Sequence, residues 1–182
     1  MAEHTLMQMR RGGIFDQIGY GFSRSSTDRQ YLVPHFEKML CDNALLIMAY
    51  AAAYRATGNT VLLDTAEKTA DYILRELGTE EGAFGSAQDA DSDGEEGKFY
   101  TLSPEEVCLV LGERDGAAFC RHYGITRQGN FEGKSIPNLL QGNEITDAFE
   151  EQRRLLYCYR KKRASLVSDD KILTSWNALA IL

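Results

Sequence analysis

The chain has 182 residues, 43% of them hydrophobic and 26% charged, the make-up of a soluble globular protein rather than a disordered or fibrous one. Its formal charge is -7, from 20 basic and 27 acidic residues, and without a basic excess or stripe nucleic acid is not an expected partner. The longest wholly apolar run, 44–54, falls short of the about 20 residues that a membrane-spanning helix takes, and residues 1–11 lack the apolar core of a secretory signal, so a cytoplasmic protein with no membrane partner is expected.

Three glycine clusters, near 12–21, 78–97 and 124–142, mark loops, and helices are expected between them. The spacing predicts a helix over 34–57, opened by Pro34 in its first turn and closed by Gly58 as a left-handed cap. Its second half is apolar on every face, the pattern of a helix surrounded by protein. A second helix over 60–77 is amphipathic, with Ala66, Ala70, Ile73 and Leu77 on one face and Asp64, Glu67, Lys68, Asp71 and Arg75 on others, and is expected at the surface. Between 82 and 101 the helical period breaks, and 83–85 and 98–101 flank an acidic tip, which predicts a short hairpin. Ser103, Pro104 and Glu106 form a capping-box sequence that starts a helix ended by Gly112. Helices over 114–123 and 147–162 follow, the latter with a basic last turn that complements its dipole. The segment 172–182 reads as a helix without C-terminal signals, so a truncated chain is expected, with inner helices exposing apolar faces, a tendency to self-associate and no enzyme activity on its own. Cys41, Cys108, Cys120 and Cys158 form no C-x-x-C pair and have no His at finger spacing, so four reduced, mostly buried thiols and no metal are expected.

Several loop-end clusters could carry chemistry. His35 stands at the expected entrance of the first helix, with Lys38, Met39 and Asp42 on its face, and Arg24, Asp28 and Arg29 arrive from the preceding loop. The tip Asp89-Ala90-Asp91-Ser92-Asp93-Gly94 begins like a calcium loop but has Tyr100 at the twelfth position, where a bidentate Glu belongs, so a solvated turn or the rim of a polar site is expected. Glu132 with Lys134, and Asp169, Asp170 and Lys171, are further charged clusters.

The blocks 12–19, 26–29, 32–40, 89–92, 95–100, 129–134 and 169–177 occur in an order that resembles the YyaL-like, spermatogenesis-associated protein 20 family. The resemblance implies one part of an all-α, (α/α) toroid of helical hairpins, similar to six-hairpin glycosidases, with a small β-hairpin insertion. It also implies a thioredoxin-like domain as partner in the full-length protein, outside this chain. The family commonly carries His and Glu where this chain has Ser23 and Gln88. Fold analogy points to a sugar-like small molecule as ligand and supplies no reaction. Isomerisation or epimerisation next to a carbonyl needs a base and an acid, and His35 is the candidate for one of them. Asp28, Glu37, Asp42 and Asp170 are the eligible carboxylates, also for a hydrolase-like alternative with paired carboxyls. Arg24, Arg29, Asp16, Asp89, Asp91, Glu132, Lys134, Lys171, Trp176 and Asn177 are the expected substrate contacts. No cofactor is expected. The rival reading is a non-catalytic ligand- or peptide-binding module working with the thioredoxin-like domain.

Overall fold

A computed structural model describes residues 1–182, and it is rich in helix with two very small antiparallel sheets. The chain opens with α1 (Ala2–Arg11), followed by a long loop into β1 (Lys38–Met39) and α2 (Leu40–Thr57). Next come α3 (Thr60–Tyr72), which continues into a π-helical turn at Ile73–Leu77, then β2 (Ala87–Gln88), β3 (Asp91–Ser92) and β4 (Glu95–Glu96). The second half holds α4 (Pro104–Leu111), α5 (Glu113–His122), α6 (Glu150–Arg163), β5 (Ser168–Asp169) and α7 (Thr174–Ile181). No helix is long and apolar enough to cross a membrane.

Local signals set most helix ends. Gly58 sits at φ 74°, ψ 5° and returns its N–H to the Tyr54 carbonyl, closing α2 as a left-handed cap. Ser103 and Glu106 complete the reciprocal capping box of α4. Helix α2 nevertheless begins six residues later than the 34–57 expectation. Asp28 is the reason: its carboxylate accepts the backbone N–H groups of Gln30, Leu32 and Val33 and turns the chain back on itself. The returning strand-like segment then pairs with the outgoing one, through Thr27 N–H to the Val33 carbonyl at 2.8 Å and Arg24 N–H to the Glu37 carbonyl at 2.8 Å. Backbone committed to these bonds is not free to form a helical turn. The expected hairpin is also smaller than its flanks suggested, because only β3 and β4 pair around Asp93-Gly94. Both turn residues have positive φ, 54° and 81°, the conformation a two-residue hairpin turn requires.

Strand β2 instead joins two distant segments. It lies between β1 and β5, with Gln88 opposite both Lys38 and Ser168 and Ala87 opposite both Met39 and Asp169. Residues directly opposite each other share a face, so Lys38, Gln88 and Ser168 form one row across this sheet.

The helices pair as hairpins, α2 with α3 and α4 with α5, while α7 packs on α2 and α6 on α4. Phe15, Phe22, Tyr50 and Leu62 fill the core beneath α1, α2 and α3. Val107, Phe119, Tyr123 and Leu156 fill a second core among α4, α5 and α6. Leu40, Tyr72, Ile73 and Leu77 join the sheet to α3, with Trp176 packed against them. The all-apolar part of α2 is not enclosed as expected: Leu45 is 49% and Met48 43% exposed, since no element of the chain covers that face. Nor are the thiols mostly buried, as only Cys120 is; all four are unpaired.

Asn43, fully buried, accepts the Phe22 N–H at 2.7 Å and donates to the Phe22 carbonyl at 3.0 Å, tying α2 to the N-terminal loop. Asn43→Ala leaves a buried N–H without a partner and is expected to lower stability by about 1–3 kcal/mol, whereas Leu45→Gln on the open face changes it by less than about 0.5 kcal/mol. Urea denaturation midpoints of the two variants check this contrast.

Candidate functional site

The most unusual chemistry lies beneath the three-stranded sheet. The Asp16 carboxylate is buried and receives both terminal nitrogens of Arg160, at 2.9 and 2.8 Å, and the Lys38 ammonium at 2.9 Å. Backbone N–H groups of Ile18 and Gly19 complete its coordination. Lys38 also donates to the Tyr20 carbonyl at 2.6 Å and sits over the rings of Tyr72 and Tyr100. Arg160 stacks over Phe99 at 4.6 Å. Burial alone would raise the Asp16 carboxyl, but the facing Arg160 and Lys38 charges hold it far below the ordinary carboxylate range. Burial pushes the Lys38 ammonium down to about 8, against the opposing pull of Asp16. Gly21, at φ 75°, lets the loop pass against the Tyr72 ring, where a Cβ would collide with the aromatic carbons.

Above this cluster is an open cleft of about 330 Å³, and Gln88 forms part of its floor. Gln88 is 5% exposed, and its amide oxygen accepts the Tyr72 hydroxyl at 3.0 Å. The π-helical turn supplies Arg75 and Glu76 to one wall, α6 supplies Lys161, and Ser165 and Ser168 close the other side. π-Helical turns are rare and frequently occur at functional sites. Glu76 accepts Arg75 Nε at 2.7 Å, Lys161 Nζ at 3.3 Å and a short hydrogen bond from the Tyr157 hydroxyl. Burial works against the Glu76 carboxylate, yet the bonds from Tyr157 and Arg75 and the Lys161 charge bring it below its usual value. Burial and Glu76 push the Tyr157 phenol up. The pair is therefore an ionised acceptor beside a protonated donor. Together these side chains can hold hydroxyl groups and move a proton between carboxylate and phenol.

The residues singled out from sequence are dispersed. Asp16 is at the centre of the buried cluster and does not touch the open cleft. His35 is not on a helix; its side chain is 53% exposed, with Nδ1 3.9 Å from Glu96. Glu132 and Lys134 line a small recess with Glu96, and Lys134 lies 3.6 Å from Glu106. Arg24 pairs with Glu37 at 2.7 Å, and both influence Asp42, whose carboxyl burial and the Glu37 charge raise. Arg24 and Asp42 border a largely apolar surface groove along α2. Asp28 serves the turn described above, and Arg29 is exposed. Asp89 and Asp91 are exposed on the acidic hairpin, with Asp89 accepting the Asp91 N–H. Lys171 pairs with Asp169 at 2.8 Å, and Asp170 is exposed beside them. Trp176 packs on the Leu40 and Tyr72 cluster. Asn177 clips both backbone groups of Phe84.

Sequence reasoning did not single out Arg160, Arg75, Glu76, Tyr157 or Lys161 as site residues. In the sequence Arg160 and Lys161 read as the basic last turn of a helix, and Arg75 as part of the polar face of an amphipathic one. The available signal is the mixture of bases and aromatic on one helical face, Arg153, Tyr157 and Arg160, where cations recur at helical spacing beside a large aromatic.

No family model matches the chain. Over its whole length it is 36% identical, across 218 aligned residues, to spermatogenesis-associated protein 20 of Homo sapiens, and it has the same identity to that of Mus musculus. It is 30% identical across 219 residues to the uncharacterized protein B0495.5 of Caenorhabditis elegans. The chain spans 28% of the length of the first two and 30% of the third. None of these names carries a reaction.

Removing the negative centre of the buried cluster strands two cations, so Asp16→Asn is expected to cost about 3–5 kcal/mol at neutral pH. The folded-state Asp16 value is depressed, so its contribution is complete above about pH 4 and is lost as the pH falls toward the folded value. Denaturant midpoints should therefore show the gap between wild type and variant narrowing only below about pH 4. Lys38 acts in the opposite sense. Between about 8 and the ordinary 10.5 the unfolded chain holds more protons than the folded one, so stability from this group rises with pH across that window. That rise should be absent in Lys38→Met.

Proposed function

Because this chain belongs to the spermatogenesis-associated protein 20 family, and because it carries a polar cleft over a buried charge cluster, we propose that it supplies the ligand-binding surface of a domain acting on a sugar-like polyol. The reaction class is isomerisation or epimerisation next to a carbonyl. The carrying observation is the π-helical turn that presents Arg75 and Glu76 side by side to the cleft, with the Tyr157 hydroxyl bonded to Glu76. In this reading Glu76 takes the carbon-bound proton, the Tyr157 hydroxyl holds that carboxylate in place, Arg75 and Lys161 donate to the carbonyl oxygen, and Gln88 and Ser168 hold hydroxyl groups. The volume of about 330 Å³ suits one monosaccharide, at the small end of ligand sites, which run from about 300 to 1,000 Å³. The helical hairpins α2–α3 and α4–α5 would form part of the ring of an (α/α) toroid, with the cleft on its inner side.

A second reading keeps His35 as the acid or base. Its half-exposed imidazole beside Glu96, next to the recess of Glu132 and Lys134, favours that reading.

Incubation of the full-length protein with a panel of aldoses and ketoses in deuterated water, followed by NMR, separates these possibilities. Deuterium entering at the carbon next to the carbonyl is expected, with a loss of at least about tenfold in Glu76→Gln and Tyr157→Phe, the lower end of general acid–base effects being about a hundredfold. Loss in His35→Ala with Glu76→Gln unaffected would transfer the role to His35. Saturable binding without exchange would support a non-catalytic module instead.

A further inference from the structure

We infer that the ligand of this cleft is anionic, a polyol bearing a carboxylate or a phosphate, rather than a neutral sugar; this rests on the cleft being the ligand site. The hydrogen-bonding groups that line it are unequally divided. Gln88 is nineteen-twentieths buried, its oxygen is occupied by Tyr72, and its amide NH2 has no partner within the chain although the residue forms part of the cleft floor. Arg75 uses Nε on Glu76 and Tyr157 and Nη2 on the Gly19 carbonyl, which leaves Nη1 unbonded. Lys161 is 52% exposed and makes a single hydrogen bond, to Glu76, so two of its three protons are free. The Ser168 hydroxyl is likewise unbonded and stands in the row of Gln88.

Against these donors the cleft offers one carboxylate, and Glu76 already accepts from Arg75, Lys161 and Tyr157. Each hydroxyl of a neutral sugar brings a donor proton that needs an acceptor, and beyond the engaged Glu76 carboxylate and Gln88 oxygen only the Ser165 and Ser168 hydroxyls supply side-chain acceptors in the lining. A carboxylate or phosphate group only accepts. The charges agree: Arg75 and Lys161 contribute two positive charges and Glu76 one negative, leaving one positive charge at the cleft wall. Two acids bonded to or adjacent in sequence to the lining are already paired, since Asp93 accepts the Ser165 hydroxyl at 2.9 Å and lies 3.6 Å from Lys98, while Asp169 is bound to Lys171. In the bound state the anionic group lies between Arg75 Nη1, Lys161 and the Gln88 amide.

Calorimetric titration of the chain with glucose, glucuronate, glucose 6-phosphate and inorganic phosphate tests this. At least one of the two anionic sugars should bind about tenfold or more tightly than glucose, and raising the salt concentration should reduce that preference. Comparing glucuronate with the phosphate ester tells which anion is taken. Lys161→Gln, at a half-exposed position that leaves the melting temperature unchanged, should shrink the preference by about tenfold, and Gln88→Glu should abolish it. Glucose binding as tightly as its anionic derivatives would overturn the inference while leaving the cleft as a sugar site. Inorganic phosphate binding as tightly as the sugar phosphate would reduce the cleft to a bare anion site and overturn the inference too. Binding of none of the four would overturn both the inference and the polyol reading.

Discussion

A carboxylate sealed from water must be matched by cations, and Asp16 draws its two from opposite ends of the chain, Lys38 from β1 and Arg160 from α6, 144 residues away. The arrangement fixes three separate things at once. The N-terminal glycine loop is held against α6, the first strand is anchored to the loop, and the Arg160 guanidinium is pressed onto the Phe99 ring below the cleft. A well-packed apolar replacement of such a trio is often no less stable, so its net contribution to folding free energy is small. What the trio enforces is position. A change in any one member leaves the other charges buried and unmatched, so the loop, strand and helix keep one mutual arrangement, and the cleft inherits that rigidity through Tyr72 and Gln88.

The elements legible in the sequence are those whose boundaries are written in adjacent residues. The capping box at Ser103, the glycine caps at Gly58 and Gly112, and the apolar period of 60–77 each act within a turn or two of chain, and α3, α4 and α5 appear almost where those signals place them. Helix α6 starts three residues later than expected and α7 two, within the ordinary fraying of helix ends. The three-stranded sheet has no such local mark. Each of its strands is two residues long, and its existence depends on backbone groups at Lys38, Gln88 and Ser168 meeting across long intervals. Helix α1 carries no clear apolar period either, because its buried side rests on Leu6, Met7 and Met9 together with Arg10, whose guanidinium is buried against Gln17 and the Phe15 ring. An arginine counted as a solvent residue conceals a buried face.

The same logic separates the site residues. Asp16 was named from the sequence for its place in a block, and the structure makes it the centre of the buried charges. His35, Lys38, Met39 and Asp42 share one face of the expected helix, and the turn built on Asp28 dissolves that face by holding 33–37 out of the helical conformation, with Phe36 at φ 48°. Arg75 and Glu76 lie on a helix whose register changes at Ile73: a π-helical turn inserts one extra residue, so positions extrapolated with the 3.6-residue period point in the wrong direction beyond it. Helical periodicity therefore mislocates the residues on which the cleft depends.

Ser23 and Gln88, the two positions at which the chain departs from the pattern of the family it resembles, lie on opposite sides of one structural feature. Ser23 borders the closed void of about 10 Å³ beside Asp16, Lys38 and Tyr100, and Gln88 holds Tyr72, whose ring covers the Lys38 ammonium. A glutamate at position 88 could still accept the Tyr72 hydroxyl, but it would present a second acceptor to the cleft in place of an amide donor and would cancel the remaining positive charge of the wall. An imidazole at position 23 would exceed the void and press on the Lys38 and Tyr100 side. Only the departure at Gln88 acts on the cleft itself, where an amide in place of a carboxylate removes a negative charge and adds a donor. With the Glu76 carboxylate already engaged, that surplus of donors is what gives the cleft a preference between ligands.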